Sequence, residues 1–158
     1  MKLKIDLKEI SNKNEKSKIC NKILRALPDW FGLKNSIINY EKEVKETYFF
    51  SAFNGDESIG FVAVKKHNLF TAEIYVMGIS KQYHRQGIGK KLITFCENYL
   101  KENSFVFLTV KTLDESAECE NYKKTRQFYL TMGFRPLEVF PLLWNKDNPC
   151  LFMAKSLL

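Results

Sequence analysis

The six residues His84, Arg85, Gln86, Gly87, Ile88 and Gly89, followed by Lys90 and Lys91, combine residue types and a spacing that suggest chemistry. Gly87 and Gly89 carry no Cβ to hold a ligand away from the backbone. Behind them Leu92, Ile93, Phe95, Cys96, Tyr99 and Leu100 recur at the three and four residue steps of an amphipathic helix. The start of such a helix offers backbone N–H groups without intrahelical partners and the positive end of the helix dipole. With His84, Arg85, Lys90 and Lys91 around it, this turn has the makings of a cradle for a phosphate or pyrophosphate. An ordinary strand-to-helix turn with solvated charges uses the same residue types, so other residues must decide. Two familiar phosphate loops do not fit. A P-loop would need glycine where His84 stands and Ser or Thr where Lys91 stands, and a dinucleotide fingerprint would need glycine at Leu92.

The elements that must position this turn follow from periodicity and punctuation. A first strand is expected over residues 2–7. A helix begins after Ser11 or Asn12, carries Ile19, Ile23, Leu24 and Leu27, and is ended by Pro28. After a short aromatic loop with Trp30 and Phe31, a second helix is expected over residues 34–46. Strands are expected over 47–53 and 59–66 around the hairpin signal Asn54-Gly55, and over 72–79, leading into the turn. Beyond the central helix, residues 105–112 read as a buried strand. Residues 113–120 read as an acidic loop, and residues 122–132 as a helix closed by Gly133. Two last strands are expected over 137–144 and 150–155.

The chain has 158 residues, 45% hydrophobic and 27% charged. That suits one domain with one sizeable core. No apolar run approaches the ~18 residues of a membrane span, and the first ten residues alternate charge with apolar side chains instead of forming a signal segment. A soluble cytoplasmic protein, monomer or homodimer, with no membrane partner is the expectation. Four cysteines without a CxxC pair and only two histidines argue against a metal site, so no metal is expected. The formal charge of +7 raises nucleic-acid binding, but the basic residues are scattered from Lys2 to Lys155 without a basic arm.

HRQGIG resembles the acyl-CoA signature of the GNAT superfamily of acetyl-CoA-dependent N-acetyltransferases: Gln or Arg, two free positions, Gly, one free position, then Gly or Ala. His84 departs from the first position. A second stretch, TRQFYLTMGF at residues 125–134, resembles the family helix that carries an aromatic-Tyr pair followed by Gly-Phe. The resemblance implies an α/β (α+β) GNAT fold along essentially the whole chain. Such a fold has a mixed, mostly antiparallel sheet of about six to seven strands with about four helices, and the third and fourth core strands splay around the thioester arm. It implies acetyl-CoA, or coenzyme A, as co-substrate and a primary amine of a small molecule, peptide or protein as acceptor.

Residue by residue, the resemblance gives Tyr129 the role of acid toward the leaving thiolate, and Phe128 a place beside the coenzyme. The match of TAEIYVMGIS to the glutamate-base branch makes Glu73 the candidate general base. Met77, Gly78 and Ile79 are expected to offer main-chain groups to the pantetheine arm, with Gly78 permitting close approach or a bulge. His84, Arg85, Gln86, Gly87, Ile88, Gly89 and Lys90 are expected to hold the diphosphate. Trp30, Phe31 and Glu115 are candidate acceptor contacts, with the acidic loop drawing in a cationic amine. Plainer readings stay open: Glu73 pairing with Lys65 or Lys66 across the sheet, Tyr129 as a core tyrosine, a CoA-binding regulatory or interaction domain without catalysis, and a nucleic-acid module.

Overall fold

The computed structural model describes residues 3–158, so Lys2, the start of the first expected strand, lies outside the described residues. Seven strands form one sheet: β1 (Ile5–Glu9), β2 (Tyr48–Asn54), β3 (Glu57–Lys66), β4 (Thr71–Ile79), β5 (Phe107–Leu113), β6 (Arg135–Asn145) and β7 (Asn148–Ser156). Their order is β1-β2-β3-β4-β5-β7-β6, and only β4 and β5 run parallel. Among the described residues four helices flank the sheet: α1 (Lys13–Arg25), α2 (Lys34–Glu43), α3 (Ile88–Glu102) and α4 (Glu120–Thr131). This is the mixed, mostly antiparallel sheet with about four helices that the resemblance led us to expect. The parted strands are the fourth and fifth in chain order, because the N-terminal strand joins the same sheet.

Each helix is placed by its apolar face. The Asn12 side chain accepts from the Glu15 N–H at 2.9 Å and starts α1, a cap that contributes about 1 kcal/mol. Ile19, Cys20, Ile23 and Leu24 of α1 then bury against Phe49, Phe61, Ala63 and Val76 on one face of the sheet, together with Ile37 of α2. On the other face α3 buries Leu92, Ile93, Cys96 and Leu100 against Phe50, Val62, Val64 and Ile74. Complete burial of large aliphatic side chains contributes about 1.5–3 kcal/mol each, so the orientation of α3 is firmly set. The direction of its N-terminus is set with it.

The expected second helix ends early: Val44–Glu46 tighten into a 3-10 turn, and the Thr47 hydroxyl donates to Val44 O at 2.7 Å. The last hairpin is longer than expected, since β6 and β7 leave only Lys146 and Asp147 in the turn. The Asn145 side chain accepts from the Asp147 N–H at 3.0 Å and the Asn148 amide at 2.9 Å, a local closure of the kind Asx residues provide.

Two irregularities shape the middle of the sheet. Across β3, Ala63 faces Val76 and Val64 faces Ile74, so Tyr75 is an extra residue in β4. The bulge therefore falls at Tyr75, and of the two expectations for Gly78, close approach or a bulge, it is close approach that is found. Gly78 serves packing: a Cβ there would sit 3.0 Å from Ile23 and 3.3 Å from Leu24 and Leu27, so its absence lets α1 lie close on β4. The second irregularity is that β4 pairs with β5 only from Thr71↔Phe107 to Ile74↔Val110. From Tyr75 and Lys111 onward the strands part.

Candidate active site

The gap between β4 and β5 opens toward the turn that leads into α3. Arg85 (φ 61°) and Gly87 (φ 78°) both take left-handed backbone conformations, which turn nearby N–H groups into a concave nest suited to an anion. For arginine this conformation is strained, a cost that persists where the surroundings impose it. The first intrahelical bond of α3 runs from the Lys91 N–H to Gly87 O at 3.1 Å. The N–H groups of Ile88, Gly89 and Lys90 thus have no partner within the helix. A Cβ at Gly87 would meet nothing within 4 Å, whereas one at Gly89 would press on the Phe128 ring at 3.2 Å. Gly87 is needed for its conformation, and Gly89 for the close approach of α4. Arg85, Gln86, Lys90 and Lys91 lie exposed around this nest. These features fit a diphosphate.

His84 has a different task from its neighbours. Its Nε2 donates to Ile79 O at 2.6 Å, and its ring meets Trp30 edge-on at a centroid distance of 5.7 Å. The histidine ties the end of β4 to the loop between α1 and α2. Trp30 O in turn accepts from the Tyr122 hydroxyl of α4 at 3.1 Å. Phe31 packs edge-on against Tyr40 at 5.9 Å. Trp30 and Phe31 therefore brace the loop over the turn.

Tyr129 lies in the core on the α3 side of the sheet, with burial as the main cause holding its phenol well above the usual tyrosine range and Tyr122 adding to it. A neutral phenol at physiological pH is a proton donor. What fixes its place is the end of α4. The Phe134 N–H donates to Tyr129 O at 3.0 Å and the Gly133 N–H to Leu130 O at 3.0 Å, with Gly133 at φ 98°. This is the double closure of a Schellman motif, whose apolar contact is Phe134 edge-on against Tyr129 at 5.4 Å. The spacing of Tyr129 to Gly133-Phe134 is thus a mechanical requirement.

Glu73 lies on the opposite face, in the part that α1 and α2 leave uncovered. A cavity of about 320 Å³ opens there, lined by Glu73, His67, Thr109, Lys111, Phe140 and Phe152 among others. The Glu73 side chain is 9% exposed, and a buried carboxylate needs partners to stay charged. Lys111 Nζ donates to both its oxygens, at 3.0 and 2.9 Å, and His67 Nε2 lies 2.6 Å from Oε1. The cross-sheet partners considered from sequence are not the ones used: Lys65 reaches Glu43 at 3.7 Å and covers the Tyr75 ring at 3.6 Å.

Lys111 and His67 were missed by the sequence reading. Lys111 is the lone charge in the apolar run FVFLTVKT, at the parity of Thr109 and opposite to Leu108 and Val110, and that signal was available. His67 carries no comparable signal. It is placed by the turn between β3 and β4, where the Asn68 side chain accepts from the Phe70 and Thr71 N–H groups at 2.8 and 2.9 Å. Glu115 is exposed and does not line the cavity. Asp114 is occupied: its carboxylate accepts from the Ser116 hydroxyl at 2.7 Å and N–H at 3.1 Å. Although burial opposes it, hydrogen bonding by Ser116 leaves the Asp114 carboxyl below its ordinary range. Glu43 and Glu46 are likewise taken up, by Tyr75 and Lys65 and by Lys13. Of the acidic loop, Asp114 thus serves the local fold, and Glu115 lies outside the cavity.

Comparison with known proteins follows the same lines. Residues 17–134 match the model of the acetyltransferase (GNAT) family. An uncharacterized N-acetyltransferase of Bacillus subtilis, YsnE, is 27% identical over 112 residues, 71% of each chain. An acetyltransferase of the GNAT family from Desulfovibrio desulfuricans superposes with a TM-score of 0.85 at 12% identity, over 98% of this chain and 100% of its own. An aminoglycoside 6'-N-acetyltransferase crystallised with coenzyme A superposes with a TM-score of 0.77 at 18% identity, over 97% of both chains. Identities this low among the solved structures speak for the fold; the match over residues 17–134 speaks for the family. The chain belongs to the acetyltransferase (GNAT) family, the acetyl-CoA-dependent N-acetyltransferases.

Proposed function

We propose that the protein moves an acetyl group from acetyl-CoA to a primary amine by direct transfer within a ternary complex. The observation that carries this reading is the disposition of three groups around one gap. The amide nest at Gly87 to Lys90 closes one end, Tyr129 lies on the α3 face, and Glu73 lies on the other face where the strands part.

Two partners enter from opposite sides in this scheme. The diphosphate rests on the N–H groups of Ile88, Gly89 and Lys90, with Arg85 and Lys90 adding charge. The pantetheine arm runs along the unpaired edge of β4 past Ile79, Gly78 and Met77. The acceptor amine arrives from the cavity as an ammonium ion and gives a proton to Glu73 before attack. Its nitrogen forms a bond to the acyl carbon and sheds its second proton to water, the C–S bond breaks, and Tyr129 supplies the proton to the departing thiolate. Positioning of the two reactants contributes much of the rate.

The acceptor cavity combines one carboxylate with Lys111 and His67 and with the aromatic rings of Phe140 and Phe152. That lining suits a flat or apolar amine better than a polycation. A screen of amines, following thiol release from acetyl-CoA, tests both parts of the proposal. Turnover with at least one amine class that falls in Glu73→Gln supports it. Acetyl-CoA binding without transfer to any amine would make the protein a coenzyme-binding domain instead.

A further inference from the structure

The carboxylate assigned as base already holds an amine. Lys111 Nζ sits 3.0 and 2.9 Å from the two oxygens of Glu73, the relation that the proposed reaction requires of an acceptor. Lys111 is the first residue of β5 beyond its last pair with β4, Val110↔Ile74, so its side chain starts where the strands part. It lines the cavity and is 30% exposed. Among the described residues no other lysine contacts Glu73. While the ammonium stays there, both Glu73 oxygens are taken up, one of them by His67 as well.

Resting on the acetyl-transfer reading above, we propose that Lys111 is an internal acceptor: the active site acetylates its own Lys111, and this frees Glu73 to serve external amines. The Lys111 ammonium passes a proton to the Glu73 carboxylate. The Nζ lone pair then attacks the acyl carbon of acetyl-CoA, the N–C bond forms and the C–S bond breaks. The thiolate takes the Tyr129 proton and leaves as free coenzyme A, while the second proton that Nζ sheds in becoming an amide passes to water. Glu73 loses its extra proton to water, and Tyr129 is reprotonated from solvent. The product side chain is a neutral amide with one N–H in place of three charged donors, so it no longer neutralises Glu73. Glu73 keeps His67 as its partner.

The experiment is incubation of the whole protein with carbon-13-labelled acetyl-CoA and no acceptor, followed by peptide mapping, with thermal stabilisation by acetyl-CoA measured alongside. Labelled acetyl on Lys111 is expected at a first-order rate independent of protein concentration. That rate should be at least about tenfold above that of an exposed lysine such as Lys13, and about a hundredfold lower in Glu73→Gln, the scale of a lost general base. Lys111→Gln, which lacks the charge, should transfer to external amines without the initial lag of the unmodified protein, and Lys111→Arg should remain slow. Lys111 unlabelled, or labelled no faster than Lys13, in a protein that acetyl-CoA stabilises and that acetylates external amines would overturn the Lys111 proposal alone. No stabilisation and no transfer to any amine would overturn the reading beneath it as well.

Discussion

The two sides of the β4–β5 gap are built from different materials. On the proposed coenzyme side the groups offered to a ligand are chiefly main-chain N–H groups, positioned by two left-handed residues and the start of α3. On the proposed acceptor side the cavity is made of side chains: a buried carboxylate, an ammonium, an imidazole and aromatic rings. A backbone site needs particular residues only where conformation or closeness demands glycine, so it survives a substitution such as His84 for Gln or Arg. A side-chain site changes its chemistry with each replacement. This difference explains why one side leaves a short signature and the other does not.

The largest expected effect breaks the coenzyme side alone. A Cβ at Gly87 meets no atom within 4 Å, and aspartate tolerates left-handed backbone better than most residues. Gly87→Asp should therefore fold and yet place a like charge against a diphosphate, at a cost of several kcal/mol. Calorimetry should show acetyl-CoA affinity lowered by about a hundredfold or more, with a melting temperature reduced by no more than the strain of one left-handed residue. On the acceptor side, Glu73→Gln should leave acetyl-CoA affinity unchanged and lower kcat by about 10²–10³, read in a thiol-release assay. A weakened coenzyme affinity in that variant would mean that the two sides are not separate.

Tyr129→Phe removes one proton donor and should lower kcat by roughly ten- to a hundredfold with coenzyme affinity kept. Gly133→Ala sharpens the same point at a distance. Its φ of 98° is costly for a side chain, and a Cβ would lie 3.3 Å from Lys155 Cε. A loss of about 1–2 kcal/mol in denaturant unfolding is expected, together with a smaller fall in kcat as Tyr129 loses its Schellman closure.

The last effect concerns pH and is confined to alkaline buffers. Burial, with Glu41 adding to it, pushes the Cys20 thiol up to about 12 from an ordinary 9.0. The folded state therefore keeps a proton that the unfolded chain loses. Stability from this group is complete below pH 9.0 and declines as pH rises toward 12, by about 1.4 kcal/mol per unit. Melting in alkaline buffers should show the decline, and Cys20→Ala should reduce its slope.

Much of the fold was legible because its signals are local. Asn12 capped α1, Asn54-Gly55 turned β2 into β3, and the helix face from Leu92 to Leu100 set α3. The bulge at Tyr75 was not legible: it follows from how β4 must align with β3, and Gly78, the residue that looked suited to it, is there to admit α1. Of the partners of Glu73, Lys111 depends on the parallel pairing of β4 with β5, across 38 residues of chain, and His67 on the turn between β3 and β4. Sequence offered Lys65 through the antiparallel neighbour, and that lysine had a nearer partner in Glu43.

The central claim is that main-chain amides at the start of α3 hold the diphosphate while the thioester lies between β4 and β5, with Glu73 and Tyr129 on opposite sides. A crystal structure of the acetyl-CoA complex tests it most directly. The expected result is diphosphate oxygens within hydrogen-bonding distance of the Ile88, Gly89 and Lys90 N–H groups and the acyl carbon in the gap beyond Ile74 and Val110. A diphosphate bound elsewhere, or a thioester outside that gap, would contradict the account.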